Sequence, residues 1–497
     1  MGGWTQRRRV GILSMAVAAA AVLAACGGGD GDATSVRDDY PCAAGQSQCV
    51  NSVVLPASAA KSAAALPAAV RPAAATLVLP PLSEAKQVSS TEPGAPLQIG
   101  AARELSATQT VSGTAQNLHW TQAPDGGLVA ALSVTSSGAY GVRLGLVVGS
   151  LPDAAQIRLY RQDRSDTAYQ ASGQSINEAI ARNVAADGDS QAARTWWSPD
   201  LGADQVTLEI GLPAGVPASQ VQIAIPTLAH AYVNLALPTE ADLQEVSAAA
   251  KDVGDAGSCE LDASCANQYT TERNAVARMT FMGANGNYYY CTGTLLNNTK
   301  GDYAPYFLSA NHCISTQSSA SSLRTDWFFR SASCNSTTLN PGRSSLTQGA
   351  TLLYAAALTD TTLMRLNEKL PAGVTLAGWD ARGTIGTGVG IYALHHPKGD
   401  LLKYSEGQIQ GYRQCSTNSS GGVDCTTSGN AQNDFFVVGW SKGVTEGGSS
   451  GSAIFNSGRV VGTLTGGTSA CGVAGGTDMY GRFDHAFSNK LKDWLAQ

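Results

Sequence analysis

Eleven cysteines in a chain of 497 residues, one of them standing apart behind an apolar N-terminal run, restrict what this sequence can fold into more than any other feature. Apart from Cys26, they are Cys42, Cys49, Cys259, Cys265, Cys291, Cys313, Cys334, Cys415, Cys425 and Cys471. Ten thiols can close five disulfides, and disulfides persist in an oxidising compartment outside the cytosol. A zinc site would need cysteines paired two to four residues apart with histidines at ligand spacing. The six histidines do not supply that pattern, so neither a metal nor a cofactor is expected.

The N-terminus agrees with export. Arg7, Arg8 and Arg9 precede an apolar run over residues 10–25, too short for a spanning helix and closing on small residues, as a secretory signal over residues 1–25 would. Leu23-Ala24-Ala25-Cys26 resembles a bacterial lipoprotein processing box, which implies a lipidated Cys26 and an outer-membrane or cell-envelope location; ordinary cleavage after a small residue is the alternative. Charged residues make up 14% of the chain, below the roughly 25% usual for soluble domains, and the net charge is -6. No basic block follows the first ten residues, so binding to nucleic acid is not expected.

Composition divides the rest. Residues 26–98 are rich in alanine and proline, as in "SAAALPAAVRPAAATLVLPPL", and read as an extended tether. Residues 99–251 carry short alternating runs broken by Gly, Pro and Asp, such as "GLVAALSVTSS", "QVTLEIGLP" and "QVQIAIP", the pattern of an antiparallel β-sandwich. A short helical segment, "PTEADLQEVSAAAK", leads into residues 252–497, which hold eight of the cysteines and are again strand-rich. Only "HAFSNKLKDWLAQ" at the end reads as a helix.

The chemistry lies in this last region. A serine hydroxyl becomes a nucleophile only when a base takes its proton, a third group orients the base, and donors await the oxyanion. His312 in "YFLSANHC" ends an apolar strand, Asp360 in "TDTTLMRL" begins one, and Ser450 sits in "GVTEGGSSGSAIFN". Glycine lets that turn bring the amides of Gly448 and Ser450 to one side, as an oxyanion hole requires. A spacer would not be flanked by "AIF" and a further strand, "RVVGTL".

These residues resemble the His, Asp and Ser motifs of chymotrypsin-like serine peptidases, in the same order. The likeness sharpens toward the bacterial lysyl endopeptidase branch through "GSCELDASC", "CTGTLLNNT", "YFLSANHC", "AGWD", "HHP", "GVTEGGSSGS" and "TDMYGRF", and covers residues 252–497. It implies an all-β fold, a chymotrypsin-like double β-barrel behind the β-sandwich-like pro-region. It also implies a His312 base, an orienting Asp360 and an acylated Ser450, acting on protein or peptide substrates without a cofactor. Two other enzyme readings stand beside it. The run Gly447-Gly448-Ser449-Ser450-Gly451 also spells the elbow of α/β-hydrolases around Ser449, but fewer than about fifty residues follow and they read as strand. A peptidase of non-basic preference, or an envelope binding or adhesion protein using the fold as scaffold, remains open.

The resemblance carries further expectations. Trypsin-like enzymes place a pocket acid six residues before the nucleophile, where this chain has Val444. The branch places it after the nucleophile, which assigns Asp478 as the carboxylate that receives Lys or Arg. Where the branch can carry a histidine in "LHGG", this chain has Thr465 followed by Gly466, lining the same pocket. The implied disulfides are Cys259-Cys471, Cys265-Cys334 and Cys291-Cys313, leaving Cys415-Cys425 and Cys42-Cys49 as local pairs. Ser449 precedes the nucleophile, so no acid waits there for a freed ammonium. Lys251 is the expected processing point, and the upstream sandwich is the expected propeptide partner.

Overall fold

The computed structural model describes residues 42, 47–56, 72–83, 95–164, 168–234, 256–336, 338–417, 423–427 and 429–497. The signal run, Cys26, the expected helix over 238–251 and Lys251 lie outside these residues.

The alternating runs form two packed sheets. One is ordered Ala74–Leu79, Leu128–Ser136, Gln205–Leu212, Gln156–Tyr160, Tyr169–Ser172, with Thr121–Gln122 beside the second strand. The other runs Thr195–Trp197, Gly141–Ser150, Gln222–Ala231, Leu97–Glu104. Leu132, Leu144, Ile157, Leu208, Ile210 and Ile223 share the core of this sandwich. Residues that alternate along a strand reach one face, so each run adds every second side chain to that core. The helix Gly173–Asp187, whose first turn is capped by Ser172 Oγ accepting from Ser175 N, adds Ile176 and Ile180 four residues apart.

The expectation of a tether over residues 26–98 needs correction where that stretch is described. Ala74–Leu79 is a parallel edge strand of the sandwich, paired with Ala131–Ser136, and residues 47–55 form two short strands against the C-terminal half. Low complexity hides a strand whose register is supplied by its neighbour rather than by its own polar alternation.

The sandwich does not end at its own border. Leu97–Glu104 also pairs with Tyr288–Leu296, which carries the second sheet into the C-terminal half. There Val276–Met282, Tyr288–Leu296, Tyr306–Ala310, Arg324–Trp327, Ala350–Ala356 and Thr361–Leu366 make an open half-barrel. Gly390–His395, Lys403–Arg413, Phe435–Lys442, Ala453–Asn456, Arg459–Gly467 and Thr477–Arg482 close on themselves as a six-stranded barrel. The fold is thus all-β with two barrel units behind a sandwich. The five disulfides are Cys42–Cys49, Cys259–Cys471, Cys265–Cys334, Cys291–Cys313 and Cys415–Cys425.

The C-terminal helical stretch buries Phe483, Phe487, Leu491 and Leu495 at a strict four-residue interval. Four residues overshoot an α-helical turn by about 40°, so such a stripe would drift off the core on a regular helix. A π-helical turn over Phe487–Leu491 takes up the drift and keeps all four on Trp379 and its neighbours. Among the described residues no helix is long and apolar enough to cross a membrane. Phe487→Ala is expected to destabilise the C-terminal half by about 3–5 kcal/mol in denaturant unfolding, because a buried aromatic is removed from a packed stripe.

Candidate active site

The buried strand Tyr306–Ala310 delivers its chain into the turn that carries His312. Asp360 lies in the turn before Thr361–Leu366, the strand paired with it. Its φ of 46° is left-handed, which aspartate tolerates better than most residues. That geometry turns both carboxylate oxygens toward the histidine: Oδ1 accepts from His312 N at 2.8 Å and Oδ2 lies 2.6 Å from Nδ1. Both side chains are buried. With Nδ1–H donating to the carboxylate, the ring carries its lone pair on Nε2, 3.6 Å from Cys313 Sγ.

Ser450 follows a tight turn closed by Ser449 N donating to Glu446 O at 3.0 Å, with Gly448 at φ 94°. The carbonyls of this turn point inward to named donors. Gly447 O accepts from Lys398 N at 2.6 Å, Gly448 O from Thr292 Oγ1 at 2.9 Å, and Ser450 O from Thr292 N at 2.8 Å. Holding Gly447 O on Lys398 turns the N–H of the same peptide, that of Gly448, away from Lys398, and Ser449 O, which accepts from Ser452 N at 3.0 Å, does the same for the N–H of Ser450. Among the described residues the amides of Gly448 and Ser450 donate to no other backbone group. Gly451, at φ 80°, has no room for a side chain: a Cβ there would lie 2.2 Å from Ser309 Oγ. No hydrogen bond joins Ser450 Oγ to His312; the two are brought to one wall by Thr292, Ser309 and the Cys291–Cys313 bridge. Cys291, His312 and Cys313 lie close enough to hold a metal ion, but both sulfurs are spent in that bridge.

Asp478 is buried on the strand Thr477–Arg482, opposite Val438 and Gly467. Its Oδ2 accepts from Trp440 Nε1 at 2.6 Å, Thr445 Oγ1 at 2.7 Å and Ser469 Oγ at 2.5 Å. Burial pushes its pKa up despite these three donors, which favour the ionised form. Thr445 ties the carboxylate to the turn that carries Ser450. Thr465 sits in a bulge of the neighbouring strand, fully buried with no hydrogen-bond partner for its hydroxyl among the described residues, and Gly466 follows it. Trp440, Thr445 and Ser469 were not singled out from sequence; their spacing to Asp478 carries no local signal.

A second buried group lies behind the turn. His395 Nδ1 is 2.8 Å from Ser449 Oγ and its Nε2 is 3.0 Å from Ser405 Oγ. Glu260 approaches the ring only to 3.9 Å, and among the described residues neither of its oxygens has a hydrogen-bond partner. Burial, then the charge of Glu446, raises the Glu260 pKa from 4.5 to about 9, while burial lowers those of His395 and His396 from 6.5 to about 3. Glu260 and His395 are therefore both neutral near pH 7 and make no ion pair. The folded chain keeps the Glu260 proton where the unfolded chain has lost it, so stability falls as pH rises from about 4.5 to about 9. The two histidines act in the opposite sense and only below about 6.5. Glu260→Gln is therefore expected to flatten the loss of stability between pH 7 and 9, read by denaturant unfolding at each pH; an unchanged slope would remove this assignment.

The leading strand of the sandwich borders the same turn. Leu97 pairs with Tyr290, two residues from Thr292, and its Cδ1 lies 3.6 Å from where a Cβ on Gly447 would stand. Along one edge of Tyr288–Leu296 thus lie Leu97–Gly100, then the Ser450 carbonyl, then Tyr306–Leu308.

Comparison with known proteins joins both halves to one group. The family described as "Lysyl endopeptidase, C-terminal domain" matches residues 253–481, and "Lysyl endopeptidase N-terminal domain" matches residues 70–232. A "Lysyl endopeptidase" of Pseudomonas aeruginosa is 32% identical over 481 residues, covering 93% of this chain and 92% of its own length. Among solved structures, the HtrA-type protease AlgW with a tripeptide is 18% identical over 45% of this chain and 61% of its own, with a TM-score of 0.30. The MamO protease domain from Magnetospirillum magneticum is 12% identical over 45% of this chain and 98% of its own, with a TM-score of 0.30. With both domain families matched in order and a relative aligned nearly end to end, this chain belongs to the lysyl endopeptidase family and is a serine endopeptidase.

Proposed function

We propose that this is an exported precursor whose peptidase region, residues 252–497, cleaves peptide bonds after lysine or arginine by a triad of His312, Asp360 and Ser450. The observation that carries the reading is the His312–Asp360 pair, joined at 2.6 Å with Nε2 left as the basic ring nitrogen. In the first step Ser450 Oγ attacks the substrate carbonyl carbon as Nε2 takes its proton, and Asp360 holds the resulting imidazolium. The amides of Gly448 and Ser450 receive the oxyanion. Collapse expels the amine, which takes the proton from His312, and water repeats the sequence on the acyl-enzyme.

Asp478 is the proposed pocket carboxylate. Burial disfavours its charge, so a substrate ammonium is rewarded for restoring it, whereas an apolar side chain leaves the acid unpaired. Lysine or arginine preference follows from that balance, with Thr465 and Gly466 as further lining.

The remaining assignments belong to the same proposal. Residues 1–25 are the export signal, and Cys26 is lipidated and holds the precursor at the envelope. Residues 99–251 are the propeptide, and a cut after Lys251 separates it from the peptidase. Ser449 is engaged by His395, which supports activation without an ammonium at that position. Leu97 lies two residues ahead of that propeptide and begins its first strand, Leu97–Glu104, so its place beside the Ser450 turn supports a propeptide that blocks the cleft. A substrate peptide leaving Ser450 would run along the edge that Leu97–Gly100 now holds.

Mass spectrometry of a protein mixture digested by the mature enzyme tests the chemistry. Cuts are expected after Lys or Arg, and Ser450→Ala is expected to lower kcat about ten-thousand-fold or more. Asp478→Asn is expected to depress cleavage after basic residues at least about a hundredfold while leaving the thermal midpoint unchanged or raised; cuts after apolar residues would remove the role given to Asp478. In the uncut precursor, Leu97→Asp is expected to raise hydrolysis of a peptide extending on both sides of the bond by about tenfold, since a charge is costly in that half-buried contact.

A further inference from the structure

Residues 47–55 precede both family matches, which begin at residues 70 and 253, yet they are built into the far side of the peptidase half. Cys49 and Val50 pair with Asp380 and Trp379, and Val53 and Val54 with Leu376 and Thr375. Gln48 O accepts from Ala381 N at 2.8 Å, and Leu55 N donates to Val374 O at 2.9 Å. Between the two short strands, Asn51 Oδ1 accepts from Arg459 Nε at 3.1 Å and Nη2 at 2.6 Å, and Asn51 O from Asn297 Nδ2 at 2.9 Å. Ser52 Oγ accepts from Gly378 N at 2.8 Å.

These contacts run in both directions. Val50 packs on the core that contains Trp379, while Val53 and Leu55 pack on the half-barrel core, so one peptide bridges both units. Arg459 is only 5% exposed, and its guanidinium donates to Asn51 Oδ1 through both Nε and Nη2. Gly378 leaves a space that the segment fills: a Cβ there would lie 2.3 Å from Val50 O. A peptidase surface with a glycine kept clear for an upstream carbonyl, and a buried arginine satisfied by an upstream asparagine, is shaped for this peptide. The Cys42–Cys49 disulfide adds a closed loop at the segment's start.

We infer that residues 47–55 are a permanent strap of the peptidase half, and that residues 374–381 with Asn297 and Arg459 form a docking site for it. The strap stays bound when the covalent connection is cut. A scission between the sandwich and the peptidase does not by itself free the enzyme from whatever is attached ahead of Cys42. The inference rests on the strap's contacts and not on the catalytic reading.

The test cuts the chain at a chosen place. In the full-length Ser450→Ala chain, which removes self-cleavage, residues 60–66 are replaced by the recognition sequence of an unrelated site-specific protease. After cutting, the sample is passed over a native sizing column at about 1 µM and the N-terminal piece is followed by mass spectrometry. At least about nine-tenths of it is expected to co-elute with the remainder, the behaviour of a Kd near or below about 0.01 µM, and to separate in denaturant. Val50→Asp with Asn51→Ala is expected to speed release at least about tenfold. Elution of most of the unsubstituted piece as free peptide would overturn the inference whatever the variant does. Equal release from both chains would overturn the docking contacts named here.

Discussion

Two hydrogen bonds from one threonine join the barrels at the point where chemistry is assembled. Thr292 belongs to the half-barrel strand that is bridged through Cys291 to the His312 turn, and its N–H and hydroxyl hold the carbonyls of Ser450 and Gly448 in the closed barrel. A nucleophile and a base carried by separate units can share a cleft only if the units are locked at short range. The peptides of those two carbonyls carry the N–H groups of Ser449 and Gly451, which donate to Glu446 O and Leu464 O, so the turn is held on both of its faces. The sandwich reaches this junction too, because Leu97–Gly100 pairs with the very strand to which Thr292 belongs.

Charge in this molecule is placed where burial works against it. Asp478 is held by three donors and still has a raised pKa, which leaves a binding demand that a cationic side chain can meet. Glu260 has no such donors and is simply kept neutral. The contrast separates a carboxyl held by side-chain donors, the proposed pocket acid, from one that fills space behind the turn that carries Ser450. His395 completes that region by engaging Ser449, so the residue next to Ser450 is fixed by a neutral ring.

Much of the site was legible because its motifs are local. "SANHC" ends a strand, "TDTTLMRL" begins one, and the glycines beside Ser450 mark a turn that no other residue could make, so each reads without its partners. The sandwich was legible from alternation in the same way. The strand at Ala74–Leu79 was read as tether because its alternation is hidden among alanines and its pairing partner lies more than fifty residues on. Trp440, Thr445 and Ser469 were missed because a donor to a buried carboxylate is defined by where three separate strands and loops meet.

Sequence alone determined the order of the parts, the strand-rich class, the candidate triad and a cysteine set suited to export, because each depends on periodicity, turn chemistry or composition over a few residues. Tertiary structure alone decided that the strand Leu97–Glu104 lies against the turn that carries Ser450, that Glu260 is buried neutral, and that residues 47–55 pair with residues 374–381 of the C-terminal half. Those facts depend on contacts up to 408 residues apart, where backbone pairing and burial, not neighbouring residues, choose the partner.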